Sequence, residues 1–351
     1  VRDGARDGVE GERRGSLRIG VLGAGAVGGA LAALLDRAGH AVLVTARGEH
    51  GDALRAHGLR LTGGWGASEH PLAVVERMPA DLDLLVLATK AHDSAAALTA
   101  ATACDGVPVL VVQNGLGGAD AVRHALPRSP VALGLALFAA SLIEPGRIDV
   151  TGPAGLTLGG DDAALAVALP LLRGAVPAEV TTAADVRGAQ WTKLLVNQVN
   201  ALPAITGLSV QQVVAHDALR RLLTASMRET AAVGRALGVD WATIGPVGPR
   251  SVDALLTPPD ALGDPVQGDA VPLALVAGMG EVPNPASTLQ SIRRGRTTEI
   301  DALNGAVVAA GAGAGVPAPI NAALVSLVHE VERTGVFLTP EAVLRAVDAV
   351  A

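Results

Sequence analysis

The chain has 351 residues and a formal net charge of −7, from 27 Lys and Arg against 34 Asp and Glu. That length carries two domains with substantial cores, and the acidic balance, without a basic run or an aromatic-interleaved basic patch, argues against a nucleic-acid partner. Aromatic residues are 1% of the chain and hydrophobic residues 50%, so the cores must be packed from Ala, Leu and Val; the single cysteine, Cys104, rules out an internal disulfide and suits a reducing cytoplasm.

In chain order, residues 1–15 are mostly Gly, Arg, Asp and Glu and read as a disordered tail. Arg13-Arg14 ahead of the apolar run Ile19 to Leu35 mimic an export signal, but glycines at 20, 23, 25, 28 and 29 predict a strand, a turn and a helix instead. Leu17–Leu22 is expected as a buried strand, Ala24–Ala38 as a helix and Ala41–Thr45 as a second strand. Leu84–Thr89 and Val107–Val112 follow as strands, with a helical stretch from Asp93 to Cys104 between them that puts the cysteine on its buried side. Strands alternating with helices of this length imply a parallel sheet with crossovers. From Val131 to about Val180 short strands are separated by turns at Pro145-Gly146, Gly152-Pro153 and Gly159-Gly160, with one helix near Ala163–Leu172.

From Asp185 the strand signals fade. Helices are expected over Asp185–Thr206, Asp217–Leu237, Pro285–Gly295, Glu299–Ala310 and Asn321–Arg333, and a last one begins at Thr339-Pro340-Glu341 with Thr as cap. Residues 240–283 are rich in Pro and Gly and give no clear pattern. The uncharged stretch from Ala302 to His329 is interrupted by Asn304, Pro317, Pro319 and Asn321, which predicts two helices outside a membrane. The fold class expected is therefore an α/β Rossmann-like dinucleotide-binding domain over 16–184, followed by an all-α domain over 185–351 that carries substrate and catalysis.

Gly23-Ala24-Gly25-Ala26-Val27-Gly28 fits G-x-G-x-x-G between the first strand and the first helix, the context that motif requires. The first glycine allows the tight turn, the second lets the backbone approach a pyrophosphate, and the third lets helix and strand pack closely. An acid usually ends the second strand of an NAD site to bind the ribose 2′-hydroxyl. Here Val44-Thr45-Ala46-Arg47 ends it, with no acid before Glu49. Arg47 suits a 2′-phosphate, so the cofactor expected is NADP(H).

Lys occurs at two positions only, Lys90 and Lys193. Arg stays protonated at any accessible pH, whereas a desolvated Lys can hand over a proton. Lys193, Asn197 and Asn200 fall at i, i+4 and i+7 of a helical pattern otherwise lined by Leu194, Leu195, Val196 and Val199. A polar stripe on an apolar helix is costly to bury unless a polar ligand meets it; a solvent-facing stripe is the other reading. Asn284 and Ser287, before and at the start of a helix, could hold a carboxylate or act as caps alone. The eight histidines are scattered, with His50 and His57 expected in solvent, and no metal site or hydrolase elbow is legible.

Together the glycine fingerprint, Thr89-Lys90, Gln113-Asn114-Gly115, Lys193-x-x-x-Asn197, Asn284 to Ser287, Thr298-Glu299-Ile300-Asp301 and Asn304-Gly305 resemble the ketopantoate reductase family, over about Leu17 to Arg333. The resemblance implies an NADPH-dependent oxidoreductase of the 2-dehydropantoate 2-reductase type, on the route to pantothenate and coenzyme A, with the site in the cleft between the two domains. It makes Lys193 the proton donor. It implies substrate binding by Lys193, Asn197, Asn284 and Ser287, with Asn200 as a further candidate. Cofactor contacts would come from Gly23 to Gly28, Lys90, Asn114, Ala140 and Glu299, with Arg47 at the 2′-phosphate.

The sequence departs from the family pattern at several points. Ala201 stands where many relatives carry a second substrate Asn, Ser209 and Val210 where a further one falls, Ser291 where an acid is common, and Asp93 where a Gln is common. A related 2-oxo acid substrate, or a β-hydroxyacid dehydrogenase, is thus the alternative; a silent NADP-binding sensor would have no need of Lys193 or Glu299. The partner expected is a small 2-oxo acid, with no membrane and no nucleic acid, for a cytoplasmic monomer or homodimer.

Overall fold

The computed structural model describes residues 15–257, 267–280 and 282–349. The tail expected over 1–15 lies, apart from Gly15, outside them. The first half alternates strands and helices: β1 (Arg18–Leu22), α1 (Ala26–Arg37), β2 (Ala41–Thr45), α2 (Gly48–His57), β3 (Leu59–Gly63), β4 (Ser68–His70), β5 (Ala73–Val74), β6 (Leu84–Leu87), α3 (Ser94–Thr99), β7 (Val109–Val111), α4 (Gly118–Ala125), β8 (Val131–Ala136), β9 (Ala139–Glu144), β10 (Arg147–Gly152), β11 (Leu156–Gly160), α5 (Asp162–Ala175) and β12 (Val180–Thr182). Among the described residues one eight-stranded sheet has the order β12-β11-β8-β7-β6-β1-β2-β5. Its centre is parallel, with Val21 of β1 in register with Val44 of β2 and Val86 of β6. The chain crosses from one side of β1 to the other between β2 and β6, so the carboxyl ends of these strands open a crevice at a topological switch point.

Parallel strands covered on both faces must be apolar throughout. In β6, Leu84 and Val86 point into the cluster that contains Leu31, Leu34 and Leu35 of α1, while Leu85 and Leu87 point into the other layer, with Leu98 and Val122. A second sheet, of order β4-β3-β10-β9, packs against α1. Its β3 and β4 lie in a stretch with no strand signal in the sequence reading, and its parallel pair β3–β10 joins segments more than eighty residues apart. Cys104 is buried as expected, but on a single 3-10 turn, because the stretch Asp93–Cys104 breaks into two 3-10 turns around α3. Burial pushes its thiol pKa up.

The second half is helical: α6 (Val186–Asn197), α7 (Ala201–Thr206), α8 (Val210–Ala215), α9 (Asp217–Ala236), α10 (Pro249–Leu256), α11 (Ala270–Ala277), α12 (Ser287–Arg293), α13 (Asn304–Ala314), α14 (Pro319–Thr334) and α15 (Pro340–Asp348). Leu219, Leu223 and Met227 of α9 form the centre of its core, with Leu195, Leu202, Leu324 and Val328 packed around them. Thr339 caps α15 by accepting from the Ala342 amide. The helix expected over Asp185–Thr206 is interrupted by a 3-10 turn at Gln198–Asn200. No helix among the described residues is long and apolar enough to cross a membrane. α6 packs on β8 and β11, and Lys90 after β6 and Gly115 after β7 meet the second domain at the carboxyl ends of those strands.

Candidate active site

The glycine loop is built by steric exclusion. Gly23 has φ +91°, and a Cβ there would lie 2.7 Å from the Thr89 methyl. A Cβ on Gly28 would meet the Gly23 carbonyl oxygen at 2.1 Å and the Ala88 methyl at 2.8 Å. Gly25 differs: its missing side chain would meet nothing within 4 Å. Gly25 is also the N-cap of α1, with no side-chain cap and no acid in the first turn, so the first amides of the helix, at Ala26 and Val27, have no capping side chain. An open approach onto free amides at a helix N-terminus fits the pyrophosphate of a dinucleotide. The loop is tied to β2 by Gly23 N to Thr45 Oγ1 at 3.0 Å and Ala24 N to Thr45 O at 2.9 Å.

His50, expected in solvent, is instead partly buried and bonded on both ring nitrogens. The Gly146 amide donates to Nδ1 at 3.0 Å, which leaves Nε2 to donate to the Ala24 carbonyl at 2.7 Å. The ring is therefore neutral and joins the glycine loop to the β9–β10 turn. Burial lowers its pKa, against the opposing effect of the Ala24 bond. Nothing in the spacing of the histidines signalled this role, because its partners are backbone groups far away in sequence.

Arg47 is the N-cap residue of α2, at the end of β2, and its exposed guanidinium pairs with Asp93 at 2.9 Å. Lys90 leaves the end of β6 and reaches across the crevice. Its ammonium donates to Ser291 Oγ of α12 at 3.0 Å and to the Thr297 carbonyl. Burial lowers its pKa, opposed by Glu299 and Asp93. Asn114, after β7, donates to Glu299 Oε2 at 3.4 Å. The next residue, Gly115, lies so close to the second domain that a Cβ would be 2.0 Å from the Ala302 carbonyl, and its own carbonyl accepts from Gln190 Nε2 at 2.9 Å. Ala140 stands on β9 of the second sheet, one residue before Ser141, whose hydroxyl donates to Gln290 of α12 at 2.8 Å.

Lys193 projects from α6 into the same cleft. Its ammonium donates to the Ala136 carbonyl, at the end of β8, at 2.6 Å, so it lies between the domains and not in bulk solvent. Although the residue keeps some exposure, the ammonium is enclosed, and desolvation lowers its pKa from 10.5 to about 8 against the pull of Glu299. One turn on, Asn197 has a buried side-chain nitrogen with no hydrogen-bond partner among the described residues. An unpaired buried amide is costly, so a donor left free beside a cleft Lys is suited to meet a substrate oxygen.

Asn200 is held by protein groups. The helix breaks after Asn197, and Asn200 turns to α12, where its Oδ1 accepts from the Ser287 amide and hydroxyl, both at 3.0 Å, while its Nδ2 donates to the Asn197 carbonyl at 2.9 Å. The expectation of one stripe assumed an unbroken helix. The break is fixed from below: Gln198 Oε1 accepts from Asn304 Nδ2 at 2.7 Å and Ser226 Oγ at 3.0 Å, and Asn304 also donates to Asn321 at 2.9 Å, all of them fully buried. Asn304 of the Asn-Gly pair thus belongs to the scaffold beneath the site. Asn284 makes a local turn, its Oδ1 accepting from the Ala286 amide at 2.9 Å, and Ala286 is held at φ +58°. Ser287 is exposed at the start of α12.

The cleft therefore gathers Lys90, Asn114, Lys193, Asn197 and Glu299, with the glycine loop and Arg47 along its other end. Asp93 and Ser291, noted in the sequence only as departures, are both within it.

Residues 19–162 match the family described as "Ketopantoate reductase PanE/ApbA", and residues 185–332 match its C-terminal counterpart. The chain is 31% identical to a 2-dehydropantoate 2-reductase of Mesorhizobium japonicum, over 89% of this chain and 97% of the relative. It is 29% identical to that of Halobacterium salinarum, over 91% of this chain and all of the relative. Among solved structures, a PanE/ApbA family ketopantoate reductase from Ralstonia eutropha JMP134 superposes with a TM-score of 0.75 at 30% identity, covering 90% of this chain and 99% of the other. D-Mandelate dehydrogenase with NADH and anilino(oxo)acetate shares the fold, with a TM-score of 0.76 at 23% identity and coverage of 91% and 99%.

Proposed function

The chain belongs to the ketopantoate reductase family of oxidoreductases, and we propose that it reduces 2-dehydropantoate to pantoate with NADPH, Lys193 serving as proton donor. The observation that carries this reading is the enclosed Lys193 ammonium between the domains, with the unpaired amide of Asn197 one helical turn away. The dinucleotide supplies a hydride to the ketone carbon of the substrate when bound.

Negative charge then develops on the carbonyl oxygen. A fixed ammonium in a water-poor cleft stabilises that charge far better than solvent does, and it delivers the proton that completes the alcohol. Desolvation weakens the hold of Lys193 on its proton, while Glu299 keeps the charged form populated. The Asn197 side-chain nitrogen, without a partner among the described residues, is free to orient the 2-oxo acid. Lys90 and Asn114 each bond to a residue of the second domain and so hold the cleft closed around the reacting atoms. Gly23 to Gly28 would hold the pyrophosphate and Arg47 the 2′-phosphate.

A related 2-oxo acid is a second reading. It is favoured by the engagement of Asn200 and Asn284 in holding α12 and its approach, which leaves fewer polar groups for a hydroxylated substrate. The test is NADPH oxidation with 2-dehydropantoate, its lactone, 2-oxoisovalerate and pyruvate, repeated with NADH. Selective turnover of 2-dehydropantoate supports the first reading; comparable rates on all four support the second.

A further inference from the structure

The acid that an NAD site carries at the end of its second strand is missing from the β2 loop, yet an acid stands there in space. Asp93 comes from the loop after β6, and its carboxylate pairs with Arg47 at 2.9 Å. Of the two, Asp93 is the fixed partner. Its side chain is 31% exposed against 77% for Arg47, and its amide is bonded to the Lys90 carbonyl at 2.9 Å within a 3-10 turn. The nearest other cationic candidate, His92 Nε2, is 3.8 Å from it, so Arg47 is its close partner among the described residues.

We propose that Asp93 is a specificity-determining residue that weakens the preference of this site for a 2′-phosphorylated dinucleotide and gives NADH a foothold. The proposal rests on the reading of Arg47 given above. A phosphate received by Arg47 must either displace the Asp93 carboxylate or share one guanidinium with it. Displacement forfeits an ion pair, and sharing sets a dianion beside a carboxylate; both cost affinity. An unphosphorylated ribose meets the reverse situation, because its 2′-hydroxyl can donate to the carboxylate, as it does to the acid of an NAD site. The phosphate-binding Arg and the hydroxyl-binding acid are thus both present, delivered by two different loops.

The experiment measures the Kd of NADPH and of NADH by quenching of protein fluorescence, for the wild type, Asp93→Asn, Asp93→Ser and Arg47→Ala, each checked by thermal melting. Both Asp93 variants should tighten NADPH about five-fold, the change that a partly exposed charge pair of about 1 kcal/mol gives at about 1.4 kcal/mol per decade, while NADH binds more weakly. The gain should shrink at high salt. If Arg47→Ala weakens NADPH selectively but neither Asp93 variant shifts the ratio, or both weaken NADPH, the role of Asp93 is overturned and that of Arg47 stands. If Arg47→Ala leaves the ratio unmoved, both are overturned.

Discussion

Replacing Lys193 by Met should raise stability while abolishing turnover. The folded-state pKa of about 8 lies below the unfolded value of 10.5, so the fold favours the neutral amine. Below about pH 8 the enclosed charge therefore works against folding, and that penalty is relieved as pH rises from about 8 toward the unfolded value. At about 1.4 kcal/mol per pKa unit the penalty at neutral pH is at most about 3 kcal/mol. Met keeps the length of the stem and removes the charge, but it also loses the bond to the Ala136 carbonyl, worth about 1 kcal/mol. A net gain of about 1–2 kcal/mol, or a few degrees in melting temperature, is expected at pH 7, shrinking toward zero or below as pH passes 9. On the proposed mechanism, reduction needs the ammonium. With a pKa of about 8, kcat/KM should be level below that value and fall tenfold per unit above it. Lys193→Arg should restore little activity, since Arg cannot release the proton. Thermal melts across pH and initial rates of NADPH oxidation read both effects. A variant with Met at this position that melts below the wild type at pH 7 would refute a net folding penalty from the enclosed charge, and an active Arg variant would refute proton donation.

Gly25→Ala should leave the melting temperature unchanged, because its Cβ meets no atom of the described residues within 4 Å, yet weaken dinucleotide binding at least about tenfold by blocking the approach of the pyrophosphate. Gly28→Ala, whose Cβ falls 2.1 Å from the Gly23 carbonyl oxygen, should lower both; equal melting of the two variants would contradict this. Asn197→Ala should raise KM for the 2-oxo acid about 10- to 100-fold with the Kd of NADPH unmoved, the effect of losing a buried donor to a charged or polar oxygen; an unchanged KM would remove Asn197 from the substrate site. Asn200→Ala should cost about 1–2 kcal/mol in urea unfolding, by uncapping α12, and a wild-type midpoint would exclude that role.

The two-domain architecture was legible because it is written in local periods. β6 is an unbroken apolar run, as β1 is after Arg18, and the glycines at 23, 25 and 28 sit at the one turn that needs them. Lys90 and Lys193 stood out because Arg fills every other basic position. The elements missed were those whose partners are far apart in sequence. Nothing within Leu59–His70 reveals a strand that pairs with Arg147–Val150, and nothing near His50 reveals its bonds to Ala24 and Gly146.

The sequence by itself determined which residue types could bind phosphate or carry a proton, since pKa, reach and conformational freedom belong to the side chain and its immediate neighbours. Tertiary structure alone decided which of them meet. It set a 3-10 turn after Asn197 beside a buried amide network, and it joined Asn200 to Ser287 of α12. It carried Lys90 across to Ser291, and it placed Asp93 against Arg47. These are contacts between segments that only packing brings together, and the energy that fixes them lies in the folded chain as a whole.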